Sequence, residues 1–250
     1  MPDDVLPPSG QTRSPAAPGG AGLRAPGCGG APGSAPPWRE HAASHAFAAL
    51  DLGTNNCRLL LGTPCGGGHF RVIDSYSRIV RLGEGLGATG RLSELAMDRA
   101  MTALRACADK LARRPVRALQ AVATEACRRA TNGAAFLARV EAETGLRLRV
   151  ISAREEAELA MESCAPLIEP DDRRALLFDI GGGSTEIAWI RIHPGRRPPE
   201  LIGYISVPVG VVTLSERHGP SCFTEAGFHA VVNEVADSLC GFDAVHRIGT

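Results

Sequence analysis

Two glycine-containing turns, each preceded by an aspartate, are the parts of the sequence best suited to bind phosphate. In the segment 175–190, ALLFDIGGGSTEIAWI, an apolar run leads into Asp179, three glycines, Ser184, Thr185 and Glu186, and a second apolar run follows. This pattern predicts a strand, a tight turn and a second strand. Successive glycines permit positive φ and a close approach of the backbone, so consecutive N–H groups can surround a phosphate. The carboxylates of Asp179 and Glu186 would suit a hard cation bound to that phosphate.

A second segment, 47–62, repeats this arrangement with the sequence FAALDLGTNNCRLLLG. An apolar run leads into Asp51 and Gly53, small polar residues follow, and another apolar run completes the pattern. Arg58 begins the returning strand, from which its guanidinium could reach back over the turn. A single glycine run would be explained as a plain hairpin. Two such hairpins in one chain predict two phosphate-binding turns that face each other.

The hydrophobic pattern around these hairpins predicts the elements that position them. A capping box at Ser152 and Glu155 begins a helix whose first turn contains Glu156. The segment 124–129, TEACRR, follows a predicted buried strand, at the end where open α/β sheets bind ligands. Residues 78–90 are predicted to form a loop. The other predicted strands are 70–77, 116–123, 147–151, 201–207 and 245–248. The other predicted helices are 92–114, 132–144, 224–239 and a short helix within 208–218.

Two of the predicted helices carry an apolar face that we expect to pack on the core, and Ser93 and Thr224 are their expected N-caps. In the helix 92–114 the expected core residues are Leu92, Leu95, Met101, Leu104, Ala108 and Leu111. In the helix 224–239 they are Phe228, Val231, Val232, Val235 and Leu239.

Composition excludes several classes of function. The chain has 27 basic and 27 acidic residues and a formal net charge of zero, which argues against long-range attraction to nucleic acid or an anionic membrane. Aromatic residues make up only 4%, too few for base-stacking platforms. The eight cysteines form no CxxC pair, and we interpret them as reduced thiols. Without an apolar run of membrane length or a secretory signal, the expected location is the cytoplasm.

The beginning of the chain differs in composition from the rest. Nine of the 18 prolines fall within the first forty residues. Such a segment cannot bury enough apolar area to offset the entropy of ordering it, so residues 1–44 are predicted to be disordered. A start codon assigned too far upstream is the alternative explanation. A linker is predicted over 164–174.

Six motifs, in order from about residue 47 to residue 250, resemble the Ppx/GppA family of exopolyphosphatases and guanosine pentaphosphate phosphohydrolases. They are DLGTNNCR, LGEGLGATGRL, ATEACRRATN, VISAREEAEL, FDIGGGSTE and SVPVGVVTL. The resemblance implies an α/β fold of two ribonuclease-H-like domains, of the actin, Hsp70 and sugar kinase type, with the active site in the cleft between them. It places the first domain at 45–168 and the second at 172–250, incomplete at its C-terminus.

The resemblance also assigns roles to individual residues. It implies that Glu156, the second glutamate of the REE run, is the catalytic base, with Arg58 and Arg128 as catalytic arginines. Asp179 and Glu186 are the implied metal-associated carboxylates. The implied phosphate-binding residues are Asp51, Gly53, Thr54 and Asn55 in the first turn and Gly181, Gly182, Gly183, Ser184 and Thr185 in the second. Asn56 departs from the family, which often has serine there.

The expected chemistry is removal of a terminal phosphate from inorganic polyphosphate, guanosine pentaphosphate or both. A positioned base would deprotonate an in-line water, and the arginines would meet the charge of the transition state. Mg²⁺ or another divalent cation is the expected cofactor. The expected partner is the substrate alone, without nucleic acid or membrane, and the resemblance also suggests a homodimer.

Other interpretations stay open from the sequence. Glu156 could be a solvated first-turn glutamate favoured by the helix dipole. Arg58 could pair with Asp51, and Arg128 could be a surface charge. At the level of the whole chain, the alternatives are a small-molecule kinase of the same superfamily and a non-catalytic polyphosphate-binding remnant.

Overall fold

A computed structural model of the protein describes residues 46–65, 69–114, 116–169, 172–193 and 198–247. The predicted disordered segment 1–44 lies outside the described residues. Within the described residues, no helix is both long and apolar enough to cross a membrane.

The first sheet has five strands in the order β3-β2-β1-β4-β5. The strands β1, β2 and β3 form an antiparallel meander, and β4 and β5 continue the sheet parallel to β1. Their bounds are Phe47–Leu52, Asn56–Pro64, Phe70–Ile79, Ala118–Ala123 and Arg149–Val150. The turn between β1 and β2 is the first glycine turn, and it therefore lies at the carboxyl end of β1, beside the ends of β4 and β5.

Five helices of the described residues lie between the strands of this sheet or directly after them in the chain. They are α1 (Leu86–Thr89), α2 (Glu94–Arg113), α3 (Glu125–Arg129), α4 (Gly133–Thr144) and α5 (Ala153–Cys164). The main core forms where α2 and α4 cover one face of the sheet, with aliphatic side chains of β1 and β2 opposite them. The short helices α1 and α3 were not predicted: α1 lies inside the expected loop 78–90, and α3 is the segment that follows β4.

The expected apolar face of α2 needs one correction. Met101 and Leu104 are fully buried as predicted, but Leu95 is 75% exposed. The buried stripe instead begins at Ala96 and Met97. At about 100° per residue, Leu95 lies roughly 200° around the helix from Met97, on the solvent side. Ser93 caps the helix as predicted, since its hydroxyl accepts a hydrogen bond from the Ala96 N–H.

The second sheet is an antiparallel meander of three strands in the order β6-β7-β8, followed by two helices. The bounds are Arg174–Ile180, Thr185–Arg191 and Glu200–Val207 for the strands, then Val211–His218 for α6 and Glu225–His246 for α7. The helix α5 packs on this second sheet, where Met161 joins Ala188 and Ile190 in a small core. Thus the helix that carries Glu156 starts beside the first sheet and packs on the second.

The prediction for α7 was partly wrong. Thr224 caps the helix through the Gly227 N–H, as expected, but the helix continues to His246 and includes Val245, which was predicted to begin a strand. Phe228 and Val232, expected in the core, are 58% and 43% exposed. Only Phe242 is buried along this helix. The periodicity of the sequence predicts apolar residues on one side of this helix, but few apolar side chains of the described residues pack against that side.

The predicted α/β class and the two glycine hairpins are confirmed by these elements. Along the sequence, the strands of the first sheet precede the predicted linker and those of the second sheet begin at its end. The exact division into domains at 45–168 and 172–250 stays a prediction.

Candidate active site

The two glycine turns are built in the same way. In the first, the Gly53 N–H donates to the carbonyl of Asn56 over 2.9 Å, and in the second the Gly181 N–H donates to the carbonyl of Ser184 over 2.9 Å. The flanking strands pair in equivalent registers, which set Asp51 opposite Arg58 and Asp179 opposite Glu186. The repeated sequence pattern therefore corresponds to a repeated local structure.

In each half, backbone N–H groups of a later segment of the chain donate hydrogen bonds to carbonyls of the turn. The N–H groups of Val80 and Arg81 donate to the Asn55 carbonyl over 2.8 and 3.0 Å. In the second half, the Val211 and Val212 N–H groups donate to the Gly181 and Gly182 carbonyls over 3.0 and 2.8 Å. The Gly83 N–H, within the motif LGEGLGATGRL, also donates to the Thr54 carbonyl over 2.9 Å. This motif and SVPVGVVTL therefore contribute hydrogen bonds that support the two turns.

The two turns contact each other. A methyl group added to Gly182 would lie 2.9 Å from Asn55 Cβ and 3.0 Å from the Asn55 nitrogen. One added to Gly183 would lie 2.9 Å from Thr54 Oγ1. None of the glycines in either turn has positive φ, so the left-handed conformation that glycine permits is not used in these turns. The close approach of the backbone that glycine also permits is used at Gly182 and Gly183, where the two turns meet.

Several N–H groups at the tips of the turns are left for a ligand. Because the carbonyls of the turns face their backing segments, the amides are free to point elsewhere. Among the described residues, no protein acceptor takes a hydrogen bond from the N–H groups of Thr54, Asn55, Gly182 or Gly183. Unpaired N–H groups on two touching turns are suited to the oxygens of a phosphate.

Carboxylates surround the turns. Burial raises the pKa of Asp51, the nearby Arg58 guanidinium lowers it, and the negative charge of Asp179 raises it. Asp179 can act on Asp51 because the two hairpins meet at their turns. The Arg58 side chain is exposed and stands opposite Asp51, so the alternative of an Asp51–Arg58 pair and the predicted role over the turn are both compatible with its place.

Glu186 is the most buried of these acids, with 2% of its surface exposed. Ser206 Oγ donates to its Oε1 over 2.7 Å, and the Ser184 side chain also hydrogen-bonds to it. Burial raises the pKa of Glu186, an effect that these hydrogen bonds oppose. The Thr185 hydroxyl donates to the Val209 carbonyl over 2.6 Å. Its single proton is therefore already used, and any phosphate contact from Thr185 would have to come from its backbone.

Glu156 is positioned by the start of α5. The capping box holds: the Ser152 hydroxyl accepts from the Glu155 N–H, and the Glu155 carboxylate accepts from the Ser152 N–H. This fixes the first turn of the helix, on which Glu156 comes next. Burial raises the pKa of Glu156 to about 7, with further contributions from the negative charges of Glu186 and Asp179, and Arg128 opposes the rise. Because only 18% of its side chain is exposed, Glu156 is not a solvated first-turn glutamate.

Arg128 lies between two acids. Its Nη2 is 2.7 Å from Glu125 Oε2, and its Nη1 is 3.3 Å from Glu156 Oε2. Only 22% of its side chain is exposed, so it is not a free surface charge. Arg129, its neighbour, is 40% exposed and lies 3.6 Å from Glu125.

The structure therefore brings the predicted site residues into one region, on and around the two turns. The catalytic, phosphate-binding and metal-binding roles of the individual residues stay predictions. Sequence reasoning did not single out Glu125, whose side chain meets Arg128 and approaches Gly183, or Ser206, which holds Glu186. The position of Glu125 beside the predicted Arg128 was the available signal for the first. Ser206 lies opposite Glu186 in the strand register, a pairing that only the structure shows.

The acids also fit a shared cation. Among the described residues, no group of three His, Cys, Asp or Glu side chains could hold a metal ion by itself. Burial, with smaller contributions from neighbouring negative charges, nevertheless raises the pKa of Asp51, Glu156 and Glu186. Mg²⁺ is commonly bound through one or two carboxylates together with substrate phosphates and water. The oxygen-only donor set fits that mode of binding, with part of the coordination supplied by a substrate.

Comparison with known proteins extends these observations. A family model described as the Ppx/GppA phosphatase family matches residues 65–235, more than half of the chain. Solved structures of related proteins are also similar. An exopolyphosphatase-like protein shares 31% identity with a TM-score of 0.66, covering 77% of this chain and 59% of the other.

Two further structures come from named organisms. The Ppx/GppA enzyme of Aquifex aeolicus is 30% identical with a TM-score of 0.62, covering 79% of this chain and 64% of its own. An exopolyphosphatase from Cytophaga hutchinsonii is 26% identical with a TM-score of 0.70, covering 80% and 62% respectively. The chain thus spans about three fifths of the length of these proteins. Their similarity confirms the predicted actin-like ATPase fold.

Proposed function

Because the chain belongs to the Ppx/GppA phosphatase family, we propose that it acts as a phosphoanhydride hydrolase that releases terminal phosphate from inorganic polyphosphate, guanosine pentaphosphate or both. The observation that carries this proposal is the contact between the two glycine turns, with Gly182 packed on Asn55. Unpaired N–H groups from both turns and a buried glutamate then belong to one site. Phosphatase activity of the related family supports the reaction class, and the contacts of the site support the roles given below.

In the proposed reaction, a water molecule attacks the terminal phosphorus while the bond to the bridging oxygen breaks. Glu156 accepts the proton of this water, and a base whose pKa is about 7 is well matched to that task near neutral pH. The shortened phosphate chain leaves with the bridging oxygen, and inorganic phosphate is the second product.

Charge stabilisation comes from groups arranged before the substrate binds. The N–H groups of both turns would bind the non-bridging oxygens of the terminal phosphate. Arg58, exposed beside the first turn, would meet the negative charge that builds up during the reaction. Removing one such preorganised donor typically costs about 3 kcal/mol of barrier.

A divalent cation, with Mg²⁺ the expected one, would be held by Asp179 and Glu186 together with substrate oxygens. When bound, it would polarise the phosphoryl oxygens and offset the charge of the surrounding acids. The Ser206 and Ser184 hydroxyls that hydrogen-bond to Glu186 would keep that carboxylate in a fixed orientation.

The test is phosphate release from polyphosphate and from guanosine pentaphosphate, measured with Mg²⁺ and with EDTA. We expect Mg²⁺-dependent release from at least one substrate and strong loss of turnover in Glu156→Gln with substrate binding near normal. Release no faster than the buffer rate, with measurable polyphosphate binding, would instead favour a non-catalytic binding protein. ATP consumption that depends on an added small-molecule acceptor would favour a kinase.

A further inference from the structure

We propose that Glu125 is a positioning residue, which holds the guanidinium of Arg128 so that Arg128 orients Glu156 instead of contacting the substrate. This inference rests on the proposed function, because it concerns how the proposed base is held. Glu125 is not one of the predicted site residues.

Glu125 lies at the start of α3, directly after β4, and its carboxylate is largely buried. Its side chain is 12% exposed. Its Oε2 accepts hydrogen bonds from both Nη2 and Nε of Arg128, over 2.7 and 3.1 Å. Its Cγ lies 3.3 Å from where a methyl group on Gly183 would be, so the side chain is wedged beside the second glycine turn. Charge-assisted bonds of this kind fix an arginine far better than a neutral acceptor does.

The donors of Arg128 can be counted. A guanidinium carries five N–H donors in a fixed plane. Two are directed at Glu125, Nη1 donates to the Ile151 carbonyl over 2.6 Å, and Nη1 and Nη2 each donate to Glu156 Oε2 over 3.3 Å. Every donor therefore has a protein acceptor. No N–H is left over for a phosphate, so the effect of Arg128 on the reaction passes through Glu156.

The two carboxylate oxygens of Glu156 differ in their hydrogen bonds. Its Oε2 accepts both bonds from Arg128. Its Oε1 accepts no hydrogen bond from any residue that the structure describes. A carboxylate held at one oxygen and open at the other presents a single acceptor, in a fixed orientation, to the attacking water.

The charge of Glu125 has a second consequence. It offsets the positive charge of Arg128, which would otherwise stabilise the ionised form of Glu156 and make it a weaker base. Glu125→Gln keeps the size of the side chain but removes its charge. We expect this change to loosen Arg128 and to leave its charge less compensated.

The experiment is the pH dependence of phosphate release by Glu125→Gln, with Arg129→Gln as the matched control. For Glu125→Gln we expect kcat to fall by about tenfold or more, an unchanged KM, and an acidic limb of the kcat profile that moves to lower pH by roughly half a unit to one unit. Arg129 also approaches Glu125 but has no contact with Glu156, so Arg129→Gln should keep the wild-type profile. A raised KM with unchanged kcat and an unmoved acidic limb would overturn the proposal, because Arg128 would then act on the substrate directly.

A second measurement separates this proposal from the proposed function. The Glu156 carboxyl can be titrated by ¹³C NMR and assigned by its absence in Glu156→Gln. In Glu125→Gln its midpoint should lie at lower pH than in the wild type, even if the wild type released no phosphate. An unmoved midpoint would refute the positioning role. If Glu125→Gln does not fold, Arg128→Lys replaces it: loss of kcat at unchanged KM is expected, and a change in KM alone would contradict the proposal.

Discussion

Glu156→Gln should make the protein more stable above neutral pH. Folding raises the pKa of Glu156 from 4.5 to about 7, chiefly by burial and then by the charge of Glu186. A carboxyl whose pKa is raised by folding contributes stability that is fully present below the unfolded value and is lost as the pH rises through the folded value. Glutamine does not titrate, so the variant keeps what the wild type loses.

The size of the effect follows from the pKa. The rise from 4.5 to about 7, at about 1.4 kcal/mol for each pH unit, corresponds to about 3 kcal/mol. The side chain is only 18% exposed, so solvent screening reduces this value little. The free energy of unfolding of Glu156→Gln, relative to the wild type, should therefore rise by about 3 kcal/mol between pH 4.5 and pH 8.

The assay is urea unfolding across this pH range in EDTA, because a bound cation would offset the crowded acids. Glu155→Gln is the matched control, since folding lowers the pKa of Glu155 through its hydrogen bonds to the Ser152 backbone and Arg149. That variant should be less stable than the wild type above pH 4.5, and the difference should vanish as the pH falls. If Glu156→Gln showed no gain at pH 8 over pH 4.5, the conclusion that Glu156 is buried among other acids would be refuted.

Three other predictions concern the turns and their supports. Gly182→Ala should lower the free energy of unfolding by about 1–3 kcal/mol and abolish most of the phosphate release, because the added methyl group would lie 2.9 Å from Asn55. In the control Gly87→Ala nothing lies within 4 Å of the added methyl group, so stability and phosphate release should both be unchanged. Ser206→Ala should lower the unfolding free energy by about 1.5–3 kcal/mol by removing a donor from buried Glu186, and an equally stable variant would show that this bond is not formed. Arg58→Ala should reduce kcat by roughly 100- to 1,000-fold, with circular dichroism unchanged, and full activity would exclude Arg58 from the reaction.

The parts of the fold that follow from local chemistry could be predicted from the sequence. The two hairpins are specified by apolar runs on either side of an Asp and a glycine turn. The helix starts at Ser93, Ser152 and Thr224 are specified by side chains that satisfy the first N–H groups. These signals involve residues a few positions apart, and each element appears where they place it.

The features that the sequence could not show depend on contacts between different elements of the fold. Phe228 belongs to a genuine apolar face of α7, yet the described residues leave it exposed. The sequence allowed either positive φ or close backbone approach at the glycines of the second turn, and only the structure shows that Gly182 packs on Asn55 and Gly183 on Thr54. Glu125 and Arg128 are three residues apart on α3, but the contact of Arg128 with Glu156 depends on the start of α3 lying beside the start of α5.

Binding of one phosphate by both glycine turns is the step on which the proposed function depends. It is tested most directly by a ¹H–¹⁵N NMR titration with inorganic triphosphate in the presence of Mg²⁺, in which the backbone amides of Thr54, Asn55, Gly182 and Gly183 are followed together. We expect amides of both turns to shift with one common dissociation constant. Shifts confined to one turn, or two turns that respond with different dissociation constants, would contradict it.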